Sequence, residues 1–145
     1  MIMEITIRYM VLSDYDDAYE LWQSTEGICL DEEDTREAID IYLKRNKNLC
    51  FVALIENKLV GTILCGHEGR RGILRHLAVK PEFRNKGIAE KLVNKCLNAL
   101  ANEGIRKCNT YVLKSNDEGH NFWEHIGFYL LEDDFRLMQI PTKVD

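Results

Sequence analysis

Between residues 73 and 102 the chain changes period within a short turn, and this junction constrains the fold more than any other feature. Residues 73–79, which include Leu77, Ala78 and Val79, form a β-rich run. Pro81 closes it, because proline has no amide hydrogen to continue a ladder. From Gly87 onward Ile88, Leu92, Val93, Cys96, Leu97 and Leu100 recur three or four apart, while Glu90, Lys91, Lys95 and Asn98 face away. A strand that turns directly into a long amphipathic helix needs a sheet for the helix to pack on. The helix start also presents free backbone N–H groups and a partial positive charge, which suits an anion. Gly87 removes a side chain where phosphate oxygens would approach, Ala89 is small for the same reason, and Arg84 and Lys86 add formal charge. The plainer reading is a strand-to-helix connection whose glycine only relieves a turn. Neither Gly-x-x-x-x-Gly-Lys-Ser/Thr nor Gly-x-Gly-x-x-Gly is present.

The flanking sequence extends the pattern. Ile5, Ile7 and Tyr9 alternate as a half-buried strand, and Ser13 has the character of an N-cap for a helix whose apolar side is Tyr15, Ala18, Tyr19, Leu21 and Trp22. A loop with Gly27 and the acidic run Asp31, Glu32, Glu33 and Asp34 leads to a second helix over residues 35–45. Residues 49–55 and 59–65 flank Glu56-Asn57-Lys58 as a hairpin. Gly104 is a helix stop, residues 111–113 anchor a further strand, and residues 118–126 form a short helix stopped by Gly127. Residues 128–140 read as two closing strands. The expected architecture is α/β (α+β), with helices on a mixed, mostly antiparallel sheet of about 6–7 strands and about 4 helices.

The 145 residues suit a single domain over 1–145. Residues 1–48 hold twelve acids against five bases, and residues 49–145 hold twelve against fourteen, giving −7 and +2. That asymmetry suits one cationic and one anionic ligand as well as it suits ordinary surface variation. No basic stripe with interleaved aromatics points to nucleic acid, and no apolar run approaches the roughly 20 residues of a membrane span. No signal or transit pattern stands at the start, which leaves the cytoplasm as the expected compartment. The five cysteines are odd in number and lack a Cys-x-x-Cys pair, so they read as reduced thiols rather than a disulfide framework or metal site.

Arg84-x-x-Gly87-x-Ala89 resembles the Arg/Gln-x-x-Gly-x-Gly/Ala signature of the GNAT acetyltransferase superfamily. Asn116, followed by Phe122-Trp123-Glu124-His125-Ile126-Gly127-Phe128, resembles that family's Asn…Phe-Tyr-x-x-x-Gly-Phe ending, and the order of elements agrees from residue 5 to about residue 140. The resemblance implies the GNAT fold and transfer of an acetyl group from acetyl-CoA to a primary amine by direct attack, without a metal. A non-catalytic acyl-CoA-binding or sensing domain is the alternative. By the same resemblance the pyrophosphate lies on the backbone of Arg84, Asn85, Lys86, Gly87, Ile88 and Ala89. The pantetheine arm runs beside Leu77, Ala78 and Val79 where the strands carrying Val79 and Tyr111 splay, and a backbone N–H near Ala78 or Val79 meets the oxyanion. Asn116, Phe122 and Trp123 flank the arm and thiol, with Phe122 equally readable as core.

Two positions depart from the family pattern. Trp123 stands where a tyrosine often protonates the thiolate, and indole N–H is a donor but no practical acid. A thiol pKa near 8.5 makes that protonation worth only roughly 2 kcal/mol at neutral pH, so water suffices. Ile73 stands near where many relatives keep a glutamate base. The remaining candidates for proton removal are His76, on the strand before the turn, and His67, Glu68 and His120. The acidic run falls where this superfamily shapes its acceptor site. It reads either as an attractor of a cationic small-molecule or peptide amine, or as a solvated helix entrance. An exposed sheet edge offers a route to a homodimer.

Overall fold

Five strands form one sheet in chain order: β1 (Ile5–Tyr9), β2 (Phe51–Ile55), β3 (Lys58–His67), β4 (Arg71–Val79) and β5 (Lys107–Thr110). This computed structural model describes residues 3–131 and 136–142. They fall into two units, Met1–Leu113 and Lys114–Asp145, each described by itself below. The pairs β1–β2, β2–β3 and β3–β4 are antiparallel, and β4–β5 is parallel. The expected hairpin is present, with Ile55 opposite Lys58. Glu56 and Asn57 both take positive φ, 52° and 62°, the left-handed pair that a two-residue turn between twisted strands demands.

The first unit buries both faces of its sheet. α1 (Tyr15–Gln23) and α2 (Arg36–Arg45) lie toward one face, where Ala18, Leu21, Trp22 and Ile39 pack with Val52, Leu54, Leu64 and Ala78. α3 (Ile88–Asn102) covers the other through Ile88, Leu92, Val93, Cys96 and Leu100, the residues its spacing singled out, although Leu97 is only partly buried. Gly61 and Gly72 let it approach: a Cβ at Gly61 would stand 3.2 Å from Leu92 Cδ1, and one at Gly72 would stand 2.5 Å from Leu100 Cδ1.

Several expectations are corrected. Ser13 does not cap α1. A 3-10 turn, Leu12–Asp14, precedes the helix, and the buried Asp14 carboxylate accepts from Val11 N–H (2.9 Å) and from the Arg8 guanidinium (2.8 Å twice). Residues 49 and 50 lead into β2 without joining it. The fifth strand is Lys107–Thr110, not residues 111–113, because its ladder with β4 ends at Leu74 opposite Thr110. β4 bulges just beyond that point, and a bulge bends its strand away from a neighbour. Tyr111 and Leu113 are left 60% and 50% exposed.

In the second unit α4 (Asp117–His125) ends before Gly127, whose φ of 108° gives the expected stop. The two closing strands are absent among the described residues, which gives five strands rather than six or seven. Residues 128–131 and 136–142 have no regular structure, and residues 132–135 lie outside those described. An apolar alternation becomes a strand only beside a partner edge, and none pairs with these residues. No helix among the described residues is long and apolar enough to cross a membrane.

Candidate active site

The β4 ladder breaks its register between Thr62 and Leu64 of β3: Thr62 pairs with Ala78, while Leu64 pairs with Arg75. One extra β4 residue is therefore accommodated, and His76 adopts the positive φ of 52° that marks the bulge. Left-handed backbone at a non-glycine residue costs of order 1 kcal/mol and must be held by its surroundings. Thr62 holds it. Its hydroxyl donates to the His76 carbonyl (2.9 Å) and accepts from Trp22 Nε1–H (2.9 Å), so α1, β3 and the bulge share one buried hydroxyl.

The His76 ring meets Trp22 edge-on, with centroids 4.7 Å apart. Its Nε2 lies 2.6 Å from Asp34 Oδ1. Asp34 is the inward member of the acidic run: Asp31, Glu32 and Glu33 are exposed, whereas Asp34 is 7% exposed. Its other oxygen accepts from Asp31 N–H (3.1 Å), and its carbonyl accepts from the Tyr15 hydroxyl (2.6 Å). Sequence reasoning read the run as one feature. A single buried acid among four, 42 residues from its partner, leaves no periodic signal to find.

Beyond Leu74 the β5 side of β4 has no strand partner among the described residues of this unit. Lys80 N–H donates to Val60 (2.8 Å) on the opposite side. Antiparallel alternation then turns the amides of Leu77 and Val79 toward the open edge and Ala78 toward β3. Of the two oxyanion donors expected, Val79 has this outward orientation and Ala78 does not. The Val79 carbonyl accepts from Arg84 Nε (3.0 Å), folding that side chain back along the edge.

The turn into α3 is a cradle of amides. Asn85 and Gly87 both have left-handed φ, 62° and 79°, and such alternation converges successive N–H groups on one point. The first helical bond is Lys91 N–H to Gly87 (3.1 Å), which leaves the N–H groups of Ile88, Ala89 and Glu90 without a helical acceptor. A Cβ at Gly87 would meet no protein atom within 4 Å. The glycine thus serves a backbone conformation facing open space rather than a tight contact within the chain. Lys86 and Asn85 are exposed, and Ile88 is 1% exposed and anchors the helix. The amides and guanidinium here match the needs of a pyrophosphate, and the open β4 edge those of an extended amide-bearing arm.

His67 is not part of this arrangement. It closes the β3–β4 turn, where Nδ1 accepts from Gly69 N–H (3.0 Å) and Nε2 meets Glu103 (3.0 Å), beside Glu68, whose N–H donates to Arg71 (3.3 Å). In the second unit Asn116 caps α4 by accepting from Gly119 N–H (2.9 Å), and a Cβ at 119 would collide with the Asn116 amide. Trp123 packs edge-on against Phe122 (5.1 Å) and Phe128 (4.8 Å), an aromatic cluster internal to that unit, and His120 lies on the same helix. Three of the five free cysteines, Cys50, Cys65 and Cys96, are buried, Cys108 is partly buried and Cys29 is exposed. Burial pushes the Cys50 thiol up to about 12, far from a thiolate nucleophile at neutral pH. Among the described residues, no group of three His, Cys, Asp or Glu side chains is placed to hold a metal ion.

Comparison with known proteins bears on this geometry. A family model described as Acetyltransferase (GNAT) family matches residues 15–128. Ard1 from Thermoplasma volcanium superposes with a TM-score of 0.79 at 20% identity, over 88% of this chain and 84% of that one. The PaiA N-acetyltransferase from Thermoplasma acidophilum, solved in complex with coenzyme A, gives 0.79 at 23% identity over 91% and 94%. The ribosomal-protein-alanine N-acetyltransferase from Brucella melitensis biovar Abortus 2308 gives 0.71 at 17% over 93% and 99%. At these identities the structural likeness is one of fold.

Proposed function

The chain belongs to the acetyltransferase (GNAT) family, and from that premise we propose that it moves an acetyl group from acetyl-CoA to a primary amine by direct attack on the thioester. The observation that carries this reading is the pairing of two features along one strand. β4 has a bulged edge at residues 75–79 with no strand partner among the described residues, and the turn that follows opens into the amide cradle of Asn85, Gly87 and the first turn of α3. The backbone of residues 84–89 would hold the pyrophosphate, with Arg84 and Lys86 supplying charge. Leu77 and Val79 would pair with the arm and offer N–H to the oxyanion, a type of donor whose removal costs about 10²–10³ in rate. The bulge matters because it aims those groups.

An alkylamine has a pKa near 10 and must lose a proton before it attacks. His76 is the candidate acceptor of that proton, and water protonates the departing thiolate. Asn116, Phe122 and Trp123 belong to the same functional domain in this reading, because the family match runs across the boundary at residue 113. The acceptor is a small-molecule or peptide amine, with the exposed Asp31, Glu32 and Glu33 favouring a cationic one. Five free cysteines suit a reducing compartment such as the cytoplasm. The outer edge of β1, which pairs with no other strand among the described residues, would provide a surface for a homodimer.

The test is direct. Acetyl-CoA is titrated calorimetrically, and thiol release is then followed with spermidine, kanamycin and a short peptide bearing a free N-terminal alanine. Binding with thiol release stimulated by at least one amine is expected. Failure to bind acetyl-CoA overturns the reading.

A further inference from the structure

We propose that Asp34 and His76 act together in proton removal, with Nδ1 of His76 as the accepting atom and Asp34 as the positioning residue. This rests on the acetyl-transfer reading above and adds to it a defined atom, a defined tautomer and a residue from a different element.

The geometry points there in three steps. The bulge places His76 against Trp22 on the α1 side, on the stretch of β4 beyond its ladder with β5. The ring is then clamped: Trp22 fixes its plane, and Asp34 fixes its rotation through the 2.6 Å contact to Nε2. A carboxylate only accepts, so in the neutral ring the proton sits on Nε2 and the lone pair on Nδ1. Nδ1 makes no hydrogen bond with another described residue. Nor is it sealed away, because the one buried side-chain polar atom without a partner among the described residues is the Tyr42 hydroxyl. Side-chain exposures of 13% for His76 and 9% for Asp34 shelter the pair from bulk water while leaving a face reachable.

Asp34 is itself held, by Asp31 N–H on its carboxylate and the Tyr15 hydroxyl on its carbonyl. The turn that presents the exposed acids Asp31, Glu32 and Glu33 is therefore tied to the base. In this proposal the exposed acids draw a cationic amine toward the element that holds the ring. In the step, Nδ1 takes a proton from the acceptor nitrogen. The nitrogen lone pair then forms the N–C bond, the C–S pair leaves on sulfur, water protonates the thiolate, and the hydroxide left behind takes the second proton that the nitrogen sheds as the amide forms. Among the described residues, the titratable group hydrogen-bonded to the ring is Asp34, whose carbonyl accepts from the Tyr15 hydroxyl. Arg75, next along β4, lies over the Tyr111 ring at 5.6 Å, and Thr62 and Trp22 do not titrate.

Nitrogen NMR of the full chain, labelled at histidine and saturated with coenzyme A, tests the pair without a known acceptor, the His76 signal being assigned through His76→Gln. At neutral pH, Nε2 should carry the proton and Nδ1 should be bare, and Asp34→Asn should abolish that preference. A doubly protonated ring, a proton on Nδ1, or an unchanged tautomer in Asp34→Asn would each overturn the proposal. With any amine that turns over, His76→Gln should lower kcat by about 10²–10⁴-fold with little change in KM for acetyl-CoA. It should also remove the acidic limb of the pH profile, and Asp34→Asn should show a smaller fall with that limb displaced. Tyr15→Phe loosens the same turn without touching the ring and should leave the limb in place; a limb lost in Tyr15→Phe would instead mark a purely structural tether. Loss of acetyl-CoA binding by the unaltered chain would refute the acetyl-transfer reading rather than the pair.

Discussion

Thr62 shows how much a single buried hydroxyl can organise. It is 0% exposed, satisfies the Trp22 indole and supports the left-handed carbonyl of His76. Thr62→Val keeps the volume but leaves both partners unpaired, so stability should fall by about 1–3 kcal/mol in a denaturant titration. The rate should fall as well, because the bulge loses its tie. Trp123 is a contrasting residue. It packs on Phe122 and Phe128 within its own unit, and in the proposed reaction water, not the indole, protonates the thiolate. Trp123→Phe should change thiol release only modestly; a collapse in rate with acetyl-CoA affinity intact would assign the indole a direct role. Asp14 gives a residue-scale pH dependence. Burial alone would raise its pKa, but the Arg8 hydrogen bonds and Val11 N–H outweigh that and hold it below the ordinary carboxylate value. Its contribution is therefore complete above the unfolded carboxylate range and lost as pH falls through the lowered folded value. Asp14→Asn should cost about 1–2 kcal/mol at neutral pH and progressively less in acid, read from unfolding midpoints across pH.

Among the elements, the β4–turn–α3 unit was the most legible in the sequence. A change from strand to helical period, a proline and a glycine are local signals, and each fell where the structure has its counterpart. The bulge within β4 was not legible, because a shift of one residue depends on what β3 and Thr62 offer opposite it. The Asp34–His76 contact was hidden for the same reason, and β5 was displaced because Tyr111 and Leu113 carry β propensity without a ladder to join. At this scale Gly87→Glu is the informative change. A left-handed φ at a residue other than glycine costs about 1–2 kcal/mol of stability. The new carboxylate would repel a pyrophosphate, and acetyl-CoA affinity should drop by more than about tenfold, or 1.4 kcal/mol, in calorimetry. Unchanged affinity would remove the phosphate site from this turn.

At the level of the whole molecule, the fold class and the acetyltransferase family follow from patterns spread over residues 15–128, which explains why two short motifs and an element order were enough to reach them. The pair proposed to remove the proton is written in fewer residues and at longer range, in Asp34 and His76, which meet only after folding. What the account asserts most centrally is that one strand and the turn after it hold the donor. A crystal structure of the chain with coenzyme A measures this most directly. The account predicts pyrophosphate oxygens within hydrogen-bonding distance of backbone amides in residues 84–89, with the thiol arm alongside Leu77 to Val79 and its sulfur beside the His76 bulge. Coenzyme A bound with its pyrophosphate away from Gly87, or with its arm off the β4 edge, would contradict it.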